Sequence, residues 1–153
     1  NIGAEAAKGA KRSSVVVGGG TDTPLLREIT KELYDKGKGN GDRKFLNDTY
    51  YNLSLAIWST VFQGVELGLK NDPGPLTADK VRKGLESLRN YDANGLFPPL
   101  TITAKDHGGG GKTRIDMWDG SKWVPQTDWF ADYTDLVWST VKQHSADFAK
   151  SRK

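Results

Sequence analysis

Apolar residues recur at helical spacing in several stretches of the chain and alternate in one. Ser14 to Val17, SVVV, is short and β-branched, and the pattern predicts a buried strand ended by Gly18-Gly19-Gly20. Asp22 or Thr23 then caps a helix with Pro24 at its first position. Leu25, Leu26, Ile29 and Leu33 lie on one face of it, and Gly37 stops it. A polar, glycine-rich loop, DKGKGNGDRK, follows. Asp48 to Leu69 predicts a long helix. Leu55, Trp58, Val61, Phe62, Val65 and Leu69 form a wide apolar stripe on it, wide enough to be buried on much of its circumference. NDPGP breaks that helix, and Thr77 caps another carrying Val81, Leu85 and Leu88.

Beyond NYDANG the period changes to two. Leu100 to Thr103 predicts a short strand. RIDMW-DG-SKWVP predicts a hairpin with a type I′ turn at Asp119-Gly120. Thr127 or Asp128 caps a last helix, with Trp129, Tyr133, Val137, Val141, His144 and Phe148 on one stripe, where His144 reads as a packing residue. There is no internal repeat. The sum is an α/β chain with few strands and three or four helices.

Composition narrows this picture. At 153 residues the chain is long enough for a real core, and five each of Trp, Tyr and Phe supply bulk for it. The net charge is +3, with Lys and Arg scattered among nearly as many Asp and Glu, so no basic stripe suggests nucleic acid. The absence of Cys excludes disulfides and thiolate metal sites. No apolar run reaches the roughly 18–20 residues of a membrane span. The first residues lack a signal-peptide core, and the chain starts at Asn1 without an initiator Met, which reads as a processed or cut chain.

Two stretches offer chemistry. Asp106 to Thr113, DHGGGGKT, matches the second half of a phosphate-binding loop. Such a loop must open a helix whose amides hold the phosphate, whereas TRIDMWDGSKW alternates and turns. Asp106 would also place a carboxylate in the cradle. The alternatives are a plain glycine-rich connection or a loop that bends as two lobes close. The two histidines, His107 and His144, have no ligand-spaced partners, so no metal is expected, and neither are a cofactor or catalytic residues. The second stretch, Phe45 to Asn52, FLNDTYYN, sets two Tyr, two Asn and an Asp at the start of an apolar helix. Asp48 or Asn47 can serve as its N-cap, and Tyr50 and Tyr51 can pack. The same groups also suit the wall of a cleft for a small amphipathic solute, with aromatic faces beside amide donors and acceptors.

The order of four pieces resembles the C-terminal part of the type I periplasmic solute-binding proteins of ABC importers, in particular the branched-chain amino-acid (Leu/Ile/Val) group. They are DTPLLREITKELYDKG, TYYNLSLAIWSTVFQGVELGL, LTADKVRKGLESLRNYDANGLFPPLTITAKDHGG and TRIDMWDGSKWVPQTDW, running from about Ile2 to Trp129. The resemblance implies an α/β fold of two lobes that close on a solute about a hinge. Residues 1–44 would supply a strand and helix of the second lobe, 45–100 helices of the first, and 101–153 a crossover, closing hairpin and C-terminal helix. It implies no enzyme but a receptor that delivers a small amino acid or organic acid, an aromatic one included, to an ABC permease. The setting would be the periplasm, or a lipid anchor outside a Gram-positive cell. Phe45, Asn47, Tyr50 and Tyr51 map onto the segment that lends groups to the cleft, and His107 onto an Asp-His-Gly turn near the last crossover.

Family members are more than twice as long, so the resemblance also implies an absent N-terminal half holding part of the cleft. The partners expected are that segment, the solute and the permease, with self-association of the isolated piece through the Asp48–Leu69 helix. The competing expectations are a nucleotide-binding enzyme using DHGGGGKT and an extracellular carbohydrate-binding module using Trp118, Trp123 and Trp129.

Overall fold

The computed structural model describes Gly3 and residues 5–152. Ile2, where the resemblance begins, and the outer ends of the segments 1–44 and 101–153 lie outside the described residues. Three short strands form one antiparallel sheet, β1 (Lys11–Ser14), β2 (Arg114–Trp118) and β3 (Trp123–Pro125), in that order. Ser14 faces Arg114, Lys11 faces Met117, and Trp118 faces Trp123. The sheet thus ties the beginning of the chain to the closing hairpin.

The helices are α1 (Pro24–Ile29), which continues as a π-helical turn over Thr30–Tyr34, α2 (Thr49–Asn71), α3 (Ala78–Leu85) and α4 (Thr134–Ser151). The first three start where a side-chain oxygen takes up an orphan amide. The Thr23 hydroxyl accepts from the Leu26 N–H at 3.3 Å, the Asp48 carboxylate from Tyr51 at 2.7 Å, and the Thr77 hydroxyl from Lys80 at 3.3 Å. The open choices are thereby settled for Thr23 over Asp22 and for Asp48 over Asn47. Asp22 pairs with Arg27 instead, and Asn47 sits just outside α2 with φ +65°.

Four expected elements differ. The first strand lies upstream of SVVV, because the register with β2 ends at Ser14. Val16 and Val17 still enter the core, while Val15 is exposed. Leu100 to Thr103 is not a strand: the Leu100 backbone exchanges bonds with Tyr91, Thr101 donates to Gly109 and Ile102 to Leu88. With three separate partners, no ladder forms. The hairpin is real, but its turn centres one residue later. The Asp119 N–H donates to the Lys122 carbonyl, the Asp119 carboxylate accepts from the Ser121 and Lys122 amides, and only Gly120 carries positive φ. Finally, neither Thr127 nor Asp128 caps the last helix. The Thr127 hydroxyl accepts from Ile115, and Phe130 forms a two-bond bridge with Thr113. The chain therefore stays non-helical up to Tyr133, whose φ is positive, and Trp129 and Tyr133 are not on α4.

The core gathers Val16, Val17, Leu26, Ala93, Leu96 and Phe97, with Tyr51, Leu55 and Tyr91 packed against it. α2 and α3 meet through glycines, Gly64 and Gly68 against Gly84, which lets the two backbones touch. The expected burial of the α2 stripe holds only in part: Leu55, Val61, Val65 and Leu69 are half-buried, but Trp58 and Phe62 are exposed, and the fully buried positions of α2 are Asn52, Gly64 and Gly68. α4 buries no residue, so His144 is exposed and not a core packing residue. Among the described residues no helix is long and apolar enough to cross a membrane.

Burial raises the Tyr51 phenol above its ordinary value, with Tyr34 adding to the effect, and burial likewise raises Tyr91, with Asp92 and Glu66 adding. The fold therefore holds these protons more tightly than the unfolded chain does. As pH rises through the unfolded value of 10.0, the unfolded state loses protons the native state keeps, and stability falls. Urea midpoints measured from neutral pH upward should be flat until about pH 9 and then decline, and a Tyr51→Phe, Tyr91→Phe variant should decline less.

Candidate functional site

The segment that enters α2 is organised by Asn47. Its amide nitrogen donates to the Thr21 carbonyl at 2.9 Å, and its amide oxygen accepts from the wholly buried Asn52 at 2.9 Å. The Gly20 N–H donates to the Asn47 carbonyl at 3.0 Å, and the Gly19 N–H to the Thr49 hydroxyl at 3.3 Å. The glycine turn after Val17 is thus stitched to the start of α2. On its other side it abuts the hairpin: a Cβ at Gly18 would collide with the Trp123 Cβ, and one at Gly20 would stand 3.0 Å from the Lys122 Cβ. A residue larger than glycine would force these pieces apart.

The result is an open recess of ≈ 370 Å³ lined by Gly19, Gly20, Lys44, Asn47, Tyr50 and the Trp118–Trp123 pair. The two indoles lie 5.5 Å apart, tilted by 59°. Tyr50 is 79% exposed. The structure therefore brings Asn47 and Tyr50 into one site, with Asn47 acting as a strut whose amide is engaged inside the protein. Tyr51 turns inward onto the core. Phe45 ends a 3-10 turn over Arg43–Phe45, is exposed, and carries the Lys44 ammonium 4.9 Å above its ring. His107 lies elsewhere, its Nε2 3.2 Å from the Glu86 carboxylate on the turn after α3.

His107 borders a larger groove of ≈ 650 Å³, walled by Val15 and Val16, by Leu53 and Ile57 of α2, and by the Pro98-Pro99 segment. DHGGGGKT forms one rim of it. No helix follows Thr113, since β2 begins at Arg114. The Asp106 carboxylate accepts from the Gly108 N–H at 2.8 Å, and Gly109, Gly110 and Gly111 all have positive φ. This is a sharp connection, not a phosphate cradle. Among the described residues no cluster of His, Asp and Glu could hold a metal ion.

Beneath the recess sits a charge cluster that sequence reasoning missed. Asp116 is wholly buried, 2.8 Å from the Arg114 Nε and 3.7 Å from Arg12. Arg12 also donates to the Thr49 hydroxyl at 3.1 Å and stacks 4.1 Å from the Trp123 ring, and Arg114 stacks 4.4 Å from Trp129. Burial pushes the Arg12 guanidinium below its ordinary value, with Asp116 pulling the other way. Trp123 and Trp129 thus each have an arginine over the ring, which ties them to the sheet. The alternation of Arg12 with Ser14, and of Arg114 with Asp116, puts these charges on one sheet face. Alternation alone does not say that the face is inside.

No family model matches the chain, and no curated protein matches it. Two solved structures do. One is described as an ABC transporter permease from the Pseudomonas fluorescens group, with 29% identity and a TM-score of 0.84 over 96% of this chain. The other is described as a branched-chain amino acid ABC transporter from Thermus thermophilus with bound valine, with 16% identity and a TM-score of 0.69 over 84% of this chain. The fold is α/β and similar to the type I periplasmic-binding fold, as expected. This chain spans 37% of the length of the first structure and 35% of the second.

Proposed function

We propose that the chain is a segment of the solute-binding receptor of an ABC importer, one that captures a small amino acid or organic acid between two lobes and delivers it to a permease. The likeness over nearly the whole chain to a structure from an ABC transporter carries this reading, and the bound valine of the second structure favours an amino acid as the solute. The word permease in the first description names a membrane component, yet no helix among the described residues is long and apolar enough to span a bilayer. A receptor part of such a system fits both descriptions. The reading also carries the expectations of export to the periplasm or the outer cell surface, of residues 1–44, 45–100 and 101–153 distributed over both lobes, and of no enzymatic activity.

The exposed part of the α2 stripe and the ≈ 650 Å³ groove beside Val15 are apolar surfaces that the further length present in both similar structures would cover. A thermal-shift panel tests the function. An amino acid or small organic acid should raise the melting temperature in proportion to the logarithm of its concentration, whereas ATP with Mg²⁺ and a set of oligosaccharides should not. A shift produced only by nucleotide or only by sugar would replace the receptor reading with an enzyme or a carbohydrate-binding module.

A further inference from the structure

Three places in the chain set a side-chain carbonyl beside a glycine amide: Asn40-Gly41, Asn94-Gly95 and Asp119-Gly120. At such a pair the glycine nitrogen can attack the side-chain carbon of the residue before it. Glycine permits this most readily, because no Cβ blocks the approach and its backbone turns freely. The five-membered ring that results requires the intervening peptide to turn toward the side chain. In sequence the three sites look alike, and the structure separates them.

Asn94 is held by its backbone. Its N–H donates to the Asp92 carboxylate at 3.0 Å, and Ala93, Asn94 and Gly95 all have positive φ. The next residue, Leu96, is wholly buried; its N–H donates to the Asp92 carbonyl and its own carbonyl accepts from Val17, each at 2.9 Å. Turning the Asn94–Gly95 peptide would drag Leu96 out of the core. Asp119 is held by its side chain. One carboxylate oxygen accepts from the Ser121 N–H at 2.8 Å, the Lys122 N–H at 2.9 Å and the Ser121 hydroxyl at 3.0 Å. The bonds from Lys122 and Ser121 keep this carboxyl below its ordinary value, and an ionised carboxylate is a poor target for a nucleophile.

Asn40 has neither restraint. The Lys38 and Gly39 amides donate to the Leu33 carbonyl at 2.8 and 3.2 Å, and the chain is next tied at Asp42, which caps the turn over Arg43–Phe45. Between those anchors stand Asn40 and Gly41. Both are exposed, and neither makes a hydrogen bond among the described residues. We propose that Asn40 is a site of spontaneous deamidation in the folded protein, and that Asn94 and Asp119 are protected. The Gly41 nitrogen attacks the Asn40 Cγ, the bond from Cγ to the side-chain nitrogen breaks, and ammonia leaves with the Gly41 amide proton. Water then opens the succinimide at either carbonyl, giving aspartate or isoaspartate. Each product adds a negative charge two residues before Asp42, and isoaspartate lengthens the link between α1 and α2 by one backbone atom. This chemistry does not depend on what the protein binds.

The test keeps the full chain folded in mildly alkaline buffer, well below its melting temperature, beside a second sample in denaturant. Trypsin then releases residues 39–43 with Asn40 and residues 90–105 with Asn94, and mass spectrometry follows each. In the folded sample Asn40 should convert, and Asn94 at least about tenfold more slowly, because its reaction waits for local opening. In denaturant the two should convert at comparable rates. Labelling by an isoaspartyl methyltransferase should grow with time in the folded wild type and be lost in Asn40→Gln, whose circular dichroism should match wild type. A folded chain that keeps Asn40 intact overturns the proposal, whatever the denatured sample does. So does equal conversion of Asn40 and Asn94 in the folded sample, or labelling that Asn40→Gln leaves unchanged.

Discussion

Gly84→Ala should destabilise the protein by about 3 kcal/mol, the upper end for overpacking a rigid contact. The added methyl would stand 2.6 Å from the Gly68 nitrogen and 3.0 Å from the Gly64 carbonyl carbon. All of these are backbone atoms of a regular helix, so none can swing aside as a side-chain tip can. α2 and α3 would have to separate along their whole contact. A melting temperature lower by roughly 6–12 °C is expected for a chain of this size. A control such as Gly95→Ala, which meets no atom within 4 Å, carries only the strain of a positive φ. Equal melting temperatures for the Gly84 variant and wild type would show that the two helices are not in backbone contact.

Asp116→Ala should cost about as much or more, about 3–5 kcal/mol, the range for removing one partner of a buried ion pair. Asp116 is the carboxylate between two partly desolvated guanidiniums. Without it Arg12 and Arg114 face each other as like charges inside the protein. The loss should spread beyond β2, because Arg12 also holds the first residue of α2 through Thr49 and stacks on Trp123. Near-ultraviolet circular dichroism, which reports on the tryptophan environments, should change together with urea stability. Asp116→Asn keeps the shape and loses the charge, so it should fall between alanine and wild type. An alanine variant as stable as wild type would mean that the cluster is open to water.

Much of the fold is legible in the sequence, because its signals are local. Thr23, Asp48 and Thr77 mark helix starts through their own hydroxyl or carboxylate, and the alternation in RIDMW marks a strand. What fails to read is what depends on a distant partner. SVVV has strand propensity, but its place in the ladder is decided by Arg114, and β1 ends before it. Thr127 has the side chain of an N-cap, yet it bonds to Ile115, because Phe130 is pinned to Thr113. The α2 stripe has the period of a buried face, but the described residues supply nothing to cover Trp58 and Phe62. Their exposure says more about neighbours than about α2.

The site divides in the same way. FLNDTYYN announces polar aromatic chemistry, and Asn47 and Tyr50 do border a recess. Tyr51 faces the core instead, packed against the buried cluster that includes Val16, Val17 and Leu26. His107 stands by the larger groove, because the Asp106–Gly108 turn carries it toward Glu86. Trp118 and Trp123 read in sequence as strand residues of the hairpin. Their second role comes from the Gly18–Gly20 turn, whose lack of side chains brings it onto the hairpin.

Isothermal titration calorimetry tests the receptor reading most directly. A panel of amino acids and small organic acids should contain at least one that binds with one site per chain and a negative heat-capacity change, the mark of apolar surface buried on binding. Saturable heat of this kind, indifferent to ATP with Mg²⁺, is the result the receptor reading predicts. No saturable heat from any amino acid or organic acid would contradict it.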